Sequence, residues 1–419
     1  MIDIELLRTN SELVRRSEKK RNRTTNAVDS AIELDNKWKS LLKEEEVLRK
    51  ERNDASASFS KSNSAEKTAL RNKVNKINVK VKELEDERKA VETKRNEALY
   101  RIGNILDPSV PPGTEEDKIV LRTVGKTTKK KGIPHAELVE SWGLANTEKA
   151  GEVSGSRFFY MKGDLIRLSL GLQRFAIETL EKRGFIPLYT PFLLGEEQMK
   201  AASELADLEA QLYHIPKDGL YLIATSEQTL AAYHWKEIIE PENLPKKYAG
   251  ISTCFRREAG AHGKDTKGIF RVHQFEKIEQ FVFCLPEDSQ NFHLEMVENS
   301  EIIMKALELP YRVVNISAGE LNDNASLKYD IEAWFPAQQE YRELVSASNC
   351  TDYQSRKLQI RTRGKDGRTI FVHSLNATAI AIQRTICAIL ENHQDGDSVA
   401  IPKALHQFVG KKEILREKQ

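Results

Sequence analysis

The chain has 419 residues, enough for two or three domains, and combines 39% hydrophobic with 31% charged residues. The formal net charge is +2, so attraction to a polyanion must come from local basic patches rather than from the whole chain. No stretch approaches the roughly 18 apolar residues of a membrane span, and the N-terminus lacks a signal-peptide pattern. We therefore expect a soluble, cytoplasmic protein without a membrane partner.

The four cysteines are widely spaced and show no CxxC pairing. This pattern favours reduced thiols over a disulfide framework or a zinc site.

Two local basic patches stand out in the sequence. The first consists of Arg15, Arg16, Lys19, Lys20, Arg21 and Arg23, and the second of Lys126, Lys129, Lys130 and Lys131. Each could contact phosphates or be an ordinary solvated surface run, and the sequence leaves both interpretations open.

The N-terminal quarter carries two apolar seams with alternating spacings of four and three residues. The first seam consists of Leu34, Trp38, Leu41, Glu45, Leu48, Arg52, Ala55 and Phe59, and the second of Leu70, Val74, Ile77, Val81, Leu84, Val91 and Ala98. The polar run at residues 60–64 separates them, which predicts an antiparallel coiled-coil hairpin. Each helix should extend roughly 48 Å at 1.5 Å per residue, so we expect a projecting arm. Heptads alone are equally typical of a dimerisation or structural coiled coil.

A proline-rich segment at residues 107–113 ends the helical region, because successive prolines cannot continue a helix. We predict an arm over residues 1–106, a linker over 107–113 and a second domain over 114–419. A long helix from Gly163 to Arg183 should precede a strand that ends near Pro191. Later strands, with a helix from Glu287 to Leu307 between them, predict an α+β domain with a mostly antiparallel sheet.

The segment from Phe255 to Phe281 alternates polar and apolar residues on both sides of a glycine-containing loop. The pattern predicts two paired strands, Phe255 to Glu258 and Arg271 to Phe281, joined through Gly260, Gly263 and Gly268. Arginines on such strands could approach a phosphate, although an ordinary charged hairpin would show the same pattern.

This hairpin resembles motif 2 of the class II aminoacyl-tRNA synthetases, and its residues are similar to those of the seryl-tRNA synthetases. The helix and strand ending at Pro191 resemble motif 1, which forms the dimer interface in that family. The segment from Leu375 to Asn392 resembles motif 3, with a helix that begins near Arg384. Thr225 to Glu227 matches the Thr-(Ser or Ala)-Glu segment of the family, and the N-terminal hairpin occupies the place of the family's tRNA-binding arm.

The resemblance implies that serine is activated with ATP to seryl adenylate and is then transferred to the 3′ end of tRNA(Ser). Whether tRNA(Sec) is also charged stays open at this point. The implied catalytic residues are Arg256, Glu279, Glu343 and Arg384. The implied ATP-binding residues are Arg256, Arg257, Glu258, Arg271, Val272, Phe275, Glu343, Leu344, Val345, Ser346 and Arg384. Glu343 and Ser346 would hold Mg²⁺, and no zinc is expected.

Within the ATP site, the resemblance gives each group a part. Arg256 would bind the α-phosphate and the substrate carboxylate, and Arg384 the γ-phosphate. Phe275 would stack under adenine while Arg384 covers the other face, and Glu258 would accept from the adenine amino group.

For serine, the resemblance implies Thr225, Ser226, Glu227, Arg256, Glu279, Asn376 and Thr378. Glu279 would face the ammonium group and Thr225 the hydroxyl, because a required hydrogen bond discriminates better than a fitting pocket. The implied assembly is a homodimer that binds tRNA across the dimer. Two alternatives remain open: a related enzyme for another amino acid, such as threonine, and a non-enzymatic paralogue.

Overall fold

The computed structural model describes residues 1–59, 63–203, 210–259 and 267–416. The chain divides into two compact units, Met1–Ile105 and Leu106–Gln419. No helix in these described residues is long and apolar enough to cross a membrane.

The first unit is helical. Its helices are α1 (Ile4–Lys20), α2 (Asn26–Phe59) and α3 (Ser64–Tyr100). At the start of α3, the Asn63 side chain accepts from the Glu66 backbone N–H at 3.0 Å, and Glu66 accepts from the Asn63 N–H at 3.0 Å. Such reciprocal capping satisfies backbone donors that the first helical turn leaves unpaired. The predicted hairpin of two long helices is confirmed, and residues 60–62 of its turn lie outside the described part of the chain.

Buried ion pairs connect the helices of this unit. Asp35 accepts from Arg95 at 3.1 Å and from Arg8 of α1 at 2.8 Å, and its side chain is only 4% exposed. Nearer the tip, Glu45 accepts from Arg88 at 2.9 Å. The later acid on α2, Glu45, pairs with the earlier arginine on α3, Arg88, so the two helices are antiparallel. Removing one partner would leave a buried charge, so these pairs oppose a shifted register.

Two interpretations of the N-terminal sequence are wrong in detail. Arg21 is buried rather than part of an exposed patch, and its guanidinium donates to the Asn104 carbonyl at 3.1 Å. Phe59, assigned to the first seam, is 40% exposed because it is the last residue of α2, with the Lys67 ammonium 5.9 Å from its ring.

The second unit is built on an eight-stranded sheet with the order β1-β11-β12-β13-β16-β10-β9-β4. All neighbours are antiparallel except β4 and β9, which confirms the predicted α+β class with a mostly antiparallel sheet. These strands are β1 (Ile119–Val124), β4 (Ile186–Tyr189), β9 (Lys246–Phe255), β10 (Gln274–Cys284), β11 (Tyr311–Asn315), β12 (Leu327–Phe335), β13 (Glu340–Asn349) and β16 (His373–Ala381).

Smaller sheets surround the main one. They consist of β2 (Ala145–Asn146) with β3 (Tyr160–Met161), β5 (Leu193–Gly195) with β6 (His214–Ile215) and β7 (Leu220–Leu222), β8 (Ile238–Ile239) with β14 (Arg361–Arg363) and β15 (Thr369–Phe371), and β17 (Gln394–Asp395) with β18 (Ser398–Ala400) and β19 (Glu413–Leu415). The described helices of this unit are α4 (His135–Ser141), α5 (Thr147–Ser154), α6 (Asp164–Glu181), α7 (Glu196–Ala202), α8 (Ser226–Ala232), α9 (Ser289–Ala306), α10 (Tyr353–Leu358), α11 (Ile382–Asn392) and α12 (His406–Val409).

The main core lies between one face of the sheet and helices α6, α9 and α11. Central strands give alternate residues to it, such as Ile278 of β10, Ala347 of β13 and Ala377 of β16. Successive side chains of a strand point to opposite faces, so the residues between these turn to the other side. That other side carries the polar residues described next.

Candidate active site

A cavity of about 650 Å³ opens where the central strands turn their polar residues away from the core. Its volume is in the range of small-molecule binding sites. The predicted site residues that line it are Thr225, Glu227, Arg256, Glu258, Arg271, Val272, Phe275, Glu279, Glu343, Leu344, Ser346, Asn376, Thr378 and Arg384. The fold therefore brings together residues spread from position 225 to position 384 of the sequence.

The other three predicted residues do not line the cavity. Ser226 is fully buried, and its hydroxyl donates to the Gly250 carbonyl at 3.4 Å, because α8 begins there and packs on β9. Arg257 is exposed, with its backbone N–H donating to Gln211 O at 2.9 Å. The Val345 side chain belongs to the core. Only the backbone of Val345 remains for a role in the site.

The strand bounds predicted for the segment from Phe255 to Phe281 are wrong. β9 runs from Lys246 and ends at Phe255, and β10 begins at Gln274. One further bond joins Arg256 N–H to His273 O at 2.9 Å, but Glu258 has a φ of +49°, a left-handed conformation that does not continue a strand. Arg256, Glu258 and Arg271 are thus on loops at the end of the hairpin.

The connecting loop is only partly described. Gly260 and Gly263 lie outside the described residues. Gly268 has a φ of +73°, and a Cβ added there would be 2.8 Å from the Ala136 Cβ of α4. Glycine is required here by both conformation and space.

Glu279 is the most buried of the predicted carboxylates that line the cavity. Its Oε2 atom is 2.6 Å from the Lys277 ammonium and accepts a hydrogen bond from the Thr378 hydroxyl at 3.3 Å. Both members of the ion pair are at least 92% buried, since their side chains are 8% and 2% exposed. A buried carboxylate held in this way is a fixed partner for a small polar ligand.

Glu227 lies beside this pair and accepts from the Gln354 amide at 2.9 Å. Burial raises the pKa of Glu227 to about 7, and the nearby negative charge of Glu279 adds to the effect. Glu227 therefore changes its charge near neutral pH.

This pKa predicts a pH dependence of stability. Between the ordinary pKa of 4.5 and about 7, the folded chain keeps a proton that the unfolded chain has released. The free energy of unfolding should therefore fall as the pH rises through this window. We expect Glu227→Gln to flatten the fall, as measured by urea unfolding at several pH values. Asp330, whose pKa is also raised, is present in both proteins and cancels in the comparison. Identical pH profiles would contradict this prediction.

The nucleotide end of the predicted site holds three arginines. The Arg256 guanidinium is 5.3 Å from the Phe275 ring centre, and its Nε donates to Ala224 O at 3.3 Å. Arg271 is 3.6 Å from the Glu258 carboxylate. Arg384 donates to the Glu343 carbonyl at 3.1 Å and lies 5.2 Å from the Phe270 ring centre. Three guanidinium groups converging on one cavity favour a polyanionic ligand.

Two β-bulges explain how residues at odd spacings reach the same cavity. The register between β12 and β13 shifts beside Leu344, so that Glu343 and Ser346 both line the cavity. A second shift between β10 and β16 falls beside Ala379, and Ala381 then joins Asn376 and Thr378 on the same side. A bulge places two residues opposite one and redirects the side chains beyond it.

Comparison with known proteins connects this site to a family. Residues 213–393 match the model of the tRNA synthetase class II core domain (G, H, P, S and T), and residues 1–106 match that of the seryl-tRNA synthetase N-terminal domain. A serine–tRNA ligase of Methanosphaera stadtmanae is 46% identical over 426 aligned positions that cover 100% of both chains. The chain belongs to the seryl-tRNA synthetase family.

Solved structures agree with this assignment. A crystal structure of seryl-tRNA synthetase from Pyrococcus horikoshii complexed with ATP has a TM-score of 0.96 and 41% identity, with 100% of both chains covered. Cytoplasmic serine–tRNA ligase from Naegleria fowleri in complex with AMP has a TM-score of 0.91 and 40% identity, covering 100% of this chain and 99% of that one.

The sequence reasoning missed several residues of this seryl-tRNA synthetase site. They are Gln211, Phe270, Lys277, Lys328, Ser348, Cys350 and Gln383 among the cavity-lining residues, and Gln354 behind Glu227. The signal for Lys277 was present, since it lies midway between Phe275 and Glu279 on the same face of β10. Phe270 lies next to Arg271 inside the segment already singled out, whereas Gln354 is on α10, which only the tertiary fold brings to Glu227.

The donors at Glu343 and Ser346 fit a magnesium ion of a seryl-tRNA synthetase. The Glu343 side chain is 47% exposed. Burial acts to raise the pKa of Glu343, but the positive charges of Arg384, Lys328, Arg256 and Lys277 together hold that pKa below its usual value. Asp330 lies opposite Ser346 in the register of β12 and β13, and its Oδ1 atom is buried without a hydrogen-bond partner in the described structure. Oxygen donors of this kind suit Mg²⁺. No group of three or more His, Cys, Asp or Glu residues in the described part of the chain is arranged to hold a metal.

Proposed function

We propose that this chain catalyses the joining of L-serine to tRNA(Ser), with ATP as the energy source. The observation that carries the proposal is the convergence of Arg256, Glu279, Glu343 and Arg384 on one cavity, in a chain that matches serine–tRNA ligases over its full length.

In the first step, a serine carboxylate oxygen attacks the α-phosphorus of ATP. The new P–O bond forms seryl adenylate, and the bond to the bridging oxygen breaks so that pyrophosphate leaves with its electron pair. Such a transfer requires positioning and charge neutralisation more than a protein nucleophile. Arg256 neutralises the α-phosphate and the serine carboxylate, and Arg384 the γ-phosphate. Mg²⁺ bound at Glu343 and Ser346 would supply further neutralisation of the phosphates.

The nucleoside part of ATP is placed by the residues near Phe275. The adenine ring stacks on Phe275, and Glu258 accepts from its amino group. Arg271, Val272, Leu344 and the Val345 backbone complete the wall. The Arg384 guanidinium, 5.2 Å from the Phe270 ring centre, covers the second face of adenine. The exposed position of Arg257 gives no support for a contact between its side chain and ATP.

In the second step, a hydroxyl of the terminal ribose of tRNA attacks the carbonyl carbon of seryl adenylate. The ester bond to the ribose forms, and AMP leaves as the bond to the phosphate oxygen breaks. Neither step needs a Ser-His-Asp set, because the charged groups that line the cavity position the substrates and no protein nucleophile takes part.

Serine selection depends on the buried Glu279. Its carboxylate faces the serine ammonium group, with Thr225 at the hydroxyl and Glu227, Asn376 and Thr378 around them. A pocket that requires a hydrogen bond rejects analogues that cannot form it, because its own polar groups would be left unpaired. Threonine remains the closest competitor, since it retains the hydroxyl and adds one methyl group.

Glu279→Gln should impair serine use more than ATP use. We expect kcat/KM for serine to fall by about 10-fold to 100-fold, since a hydrogen bond to a charged group is worth about 1.5 to 3 kcal/mol. The KM for ATP should stay close to normal. Glu298→Gln, at a 59% exposed side chain, is the control for losing one carboxylate.

Thermal unfolding of the Glu279→Gln variant must be measured alongside, because its Lys277 partner would lose a buried counter-ion. If ATP affinity collapses while serine affinity is kept, Glu279 belongs to the nucleotide site instead.

The proposal includes the family's assembly and partners. The hairpin of α2 and α3 contacts tRNA, the enzyme acts as a cytoplasmic homodimer that binds tRNA across the dimer, and tRNA(Sec) is a further substrate. The support is the match of residues 1–106 to the seryl-tRNA synthetase N-terminal domain. No zinc is required in this proposal.

The decisive experiment is ATP–pyrophosphate exchange with a panel of amino acids, followed by charging of tRNA transcripts with and without the long variable arm. Exchange that is strongest with serine, and charging that requires the variable arm, are the expected results. Strongest exchange with threonine would establish a different substrate. No exchange with any amino acid would favour the non-enzymatic alternative.

A further inference from the structure

We propose that Lys126, Lys129, Lys130 and Lys131, here called the lysine loop, contact the backbone phosphates of the RNA stem whose 3′ end enters the cavity. This inference rests on the proposed function, because it requires an RNA substrate. It adds a second RNA-binding surface, in the catalytic unit itself and separate in sequence from the N-terminal hairpin.

The lysine loop presents uncompensated positive charge. All four lysines are exposed. Within the described residues none of them has an ion-pair partner, whereas Lys118 lies 2.7 Å from Glu332 and Lys149 pairs with Glu152. Four unpaired ammonium groups within six residues attract an anionic partner.

The backbone of the lysine loop is held in place at its centre. The Thr128 carbonyl accepts from the Trp334 indole N–H at 3.2 Å and from the Gln339 amide at 3.2 Å. The Thr128 hydroxyl accepts from the Lys130 N–H at 3.1 Å. A loop fixed by such bonds loses less conformational entropy when it binds than a free chain does.

The chain continues from the lysine loop into α4, which packs against a segment that lines the cavity. Ile133 N–H donates to the Gln394 side chain at 2.7 Å, and Ala136 of α4 lies against Gly268. Phe270, two residues after that glycine, lines the cavity, and its ring centre is 5.8 Å from that of His135. Ala136 is five positions after Lys131, a span of at most about 18 Å.

This position selects the part of the RNA that the lysine loop can reach. The terminal ribose must enter the cavity for the second step. The base-paired stem next to the 3′ end must therefore lie along the protein surface around the cavity. Lysines contact phosphates without reading bases, which suits a stem that every accepted tRNA presents. An acidic protein segment is the competing occupant.

The test replaces all four lysines with Gln in the full-length chain. A matched control replaces four other exposed lysines of the same unit that have no ion pair in the described structure, at Lys182, Lys217, Lys403 and Lys412. Binding to a tRNA(Ser) transcript, and to a minihelix of its acceptor stem alone, is measured at several salt concentrations. Serine-dependent ATP–pyrophosphate exchange is measured for every variant.

For the lysine-loop variant, we expect tRNA affinity to fall about tenfold at low salt, with exchange within about twofold of wild type. Each lost phosphate contact lowers the log–log salt slope by about 0.7 to 0.9, so the slope should fall by at least about one. The minihelix should show the same loss, and the control variant should retain the wild-type slope.

Unchanged affinity and slope in the lysine-loop variant would overturn the inference. An equal loss in the control variant would also overturn it, because the effect would then come from net charge. Failure of the proposed function is distinguishable, since it would appear as absent serine-dependent exchange in the wild-type chain.

Discussion

Replacing Arg256 with Ala should reduce serine-dependent ATP–pyrophosphate exchange by about 100-fold to 1000-fold, the usual cost of losing one preorganised charge at a transition state. The negative charge at the α-phosphorus grows as the serine oxygen attacks, and Arg256 is the arginine placed between Phe275 and the Ala224 carbonyl. The loss should therefore appear in kcat as well as in kcat/KM. The rate of ATP–pyrophosphate exchange, measured at saturating ATP and serine, provides the check.

The control for this experiment is Arg363→Ala. Arg363 is 64% exposed and 3.7 Å from Glu240, and surface pairs of this kind contribute little to stability. Both variants should unfold at nearly the same temperature as wild type. Exchange within about threefold of wild type in a folded Arg256→Ala protein would contradict the assigned role.

Removing residues 1–105 should separate the two steps of the reaction. The truncated chain starts at Leu106, because Leu106 and Val110 pack with Val314 and Ile316 of the second unit and must be kept. The cavity residues all lie beyond position 201, so serine-dependent exchange should remain within about threefold of wild type. Charging of tRNA should fall by about 100-fold or more, because two linked contacts bind far more tightly than one.

Deletion of the whole first unit is preferable to removing α2 and α3 alone. Leu7 and Val14 of α1 are buried in this unit, and Arg8 pairs with Asp35 of α2. An isolated α1 would expose these groups and invite aggregation. Full charging by the truncated chain would show that the hairpin serves assembly or another partner rather than RNA.

Much of the fold was predictable from local patterns. The heptad spacing predicted the hairpin, and period-two alternation predicted a strand that overlaps β10. The same spacing, continued through Leu84, Arg88, Val91 and Arg95, also contained the arginines that pair with buried carboxylates. Their acidic partners Asp35 and Glu45 could not be paired with them from sequence, because pairing depends on the register of two helices.

The site was predictable only where a family resemblance supplied the roles. Composition and alternation indicate a charged hairpin, but they do not predict that Thr225 and Glu279 line the same cavity. The bulges beside Leu344 and Ala379 have no sequence signature, so the shared face of Glu343 and Ser346 could not be derived from alternation. Ser226 shows that a matched motif can also assign too many residues to the site, since its side chain faces the protein interior.

The ion pairs that Asp35 and Glu45 form with arginines are buried, so they should respond less to ionic strength than the exposed charges of the hairpin. Dissolved salt screens exposed charges within about 10 Å at 0.1 M but acts much less on pairs shielded from water. In the proposed function, raising salt should therefore weaken the binding of RNA to exposed basic side chains while leaving α2 and α3 helical and in register. Capture of the substrate and integrity of the hairpin are thus separable by a single solution variable, with circular dichroism reporting one and RNA binding the other.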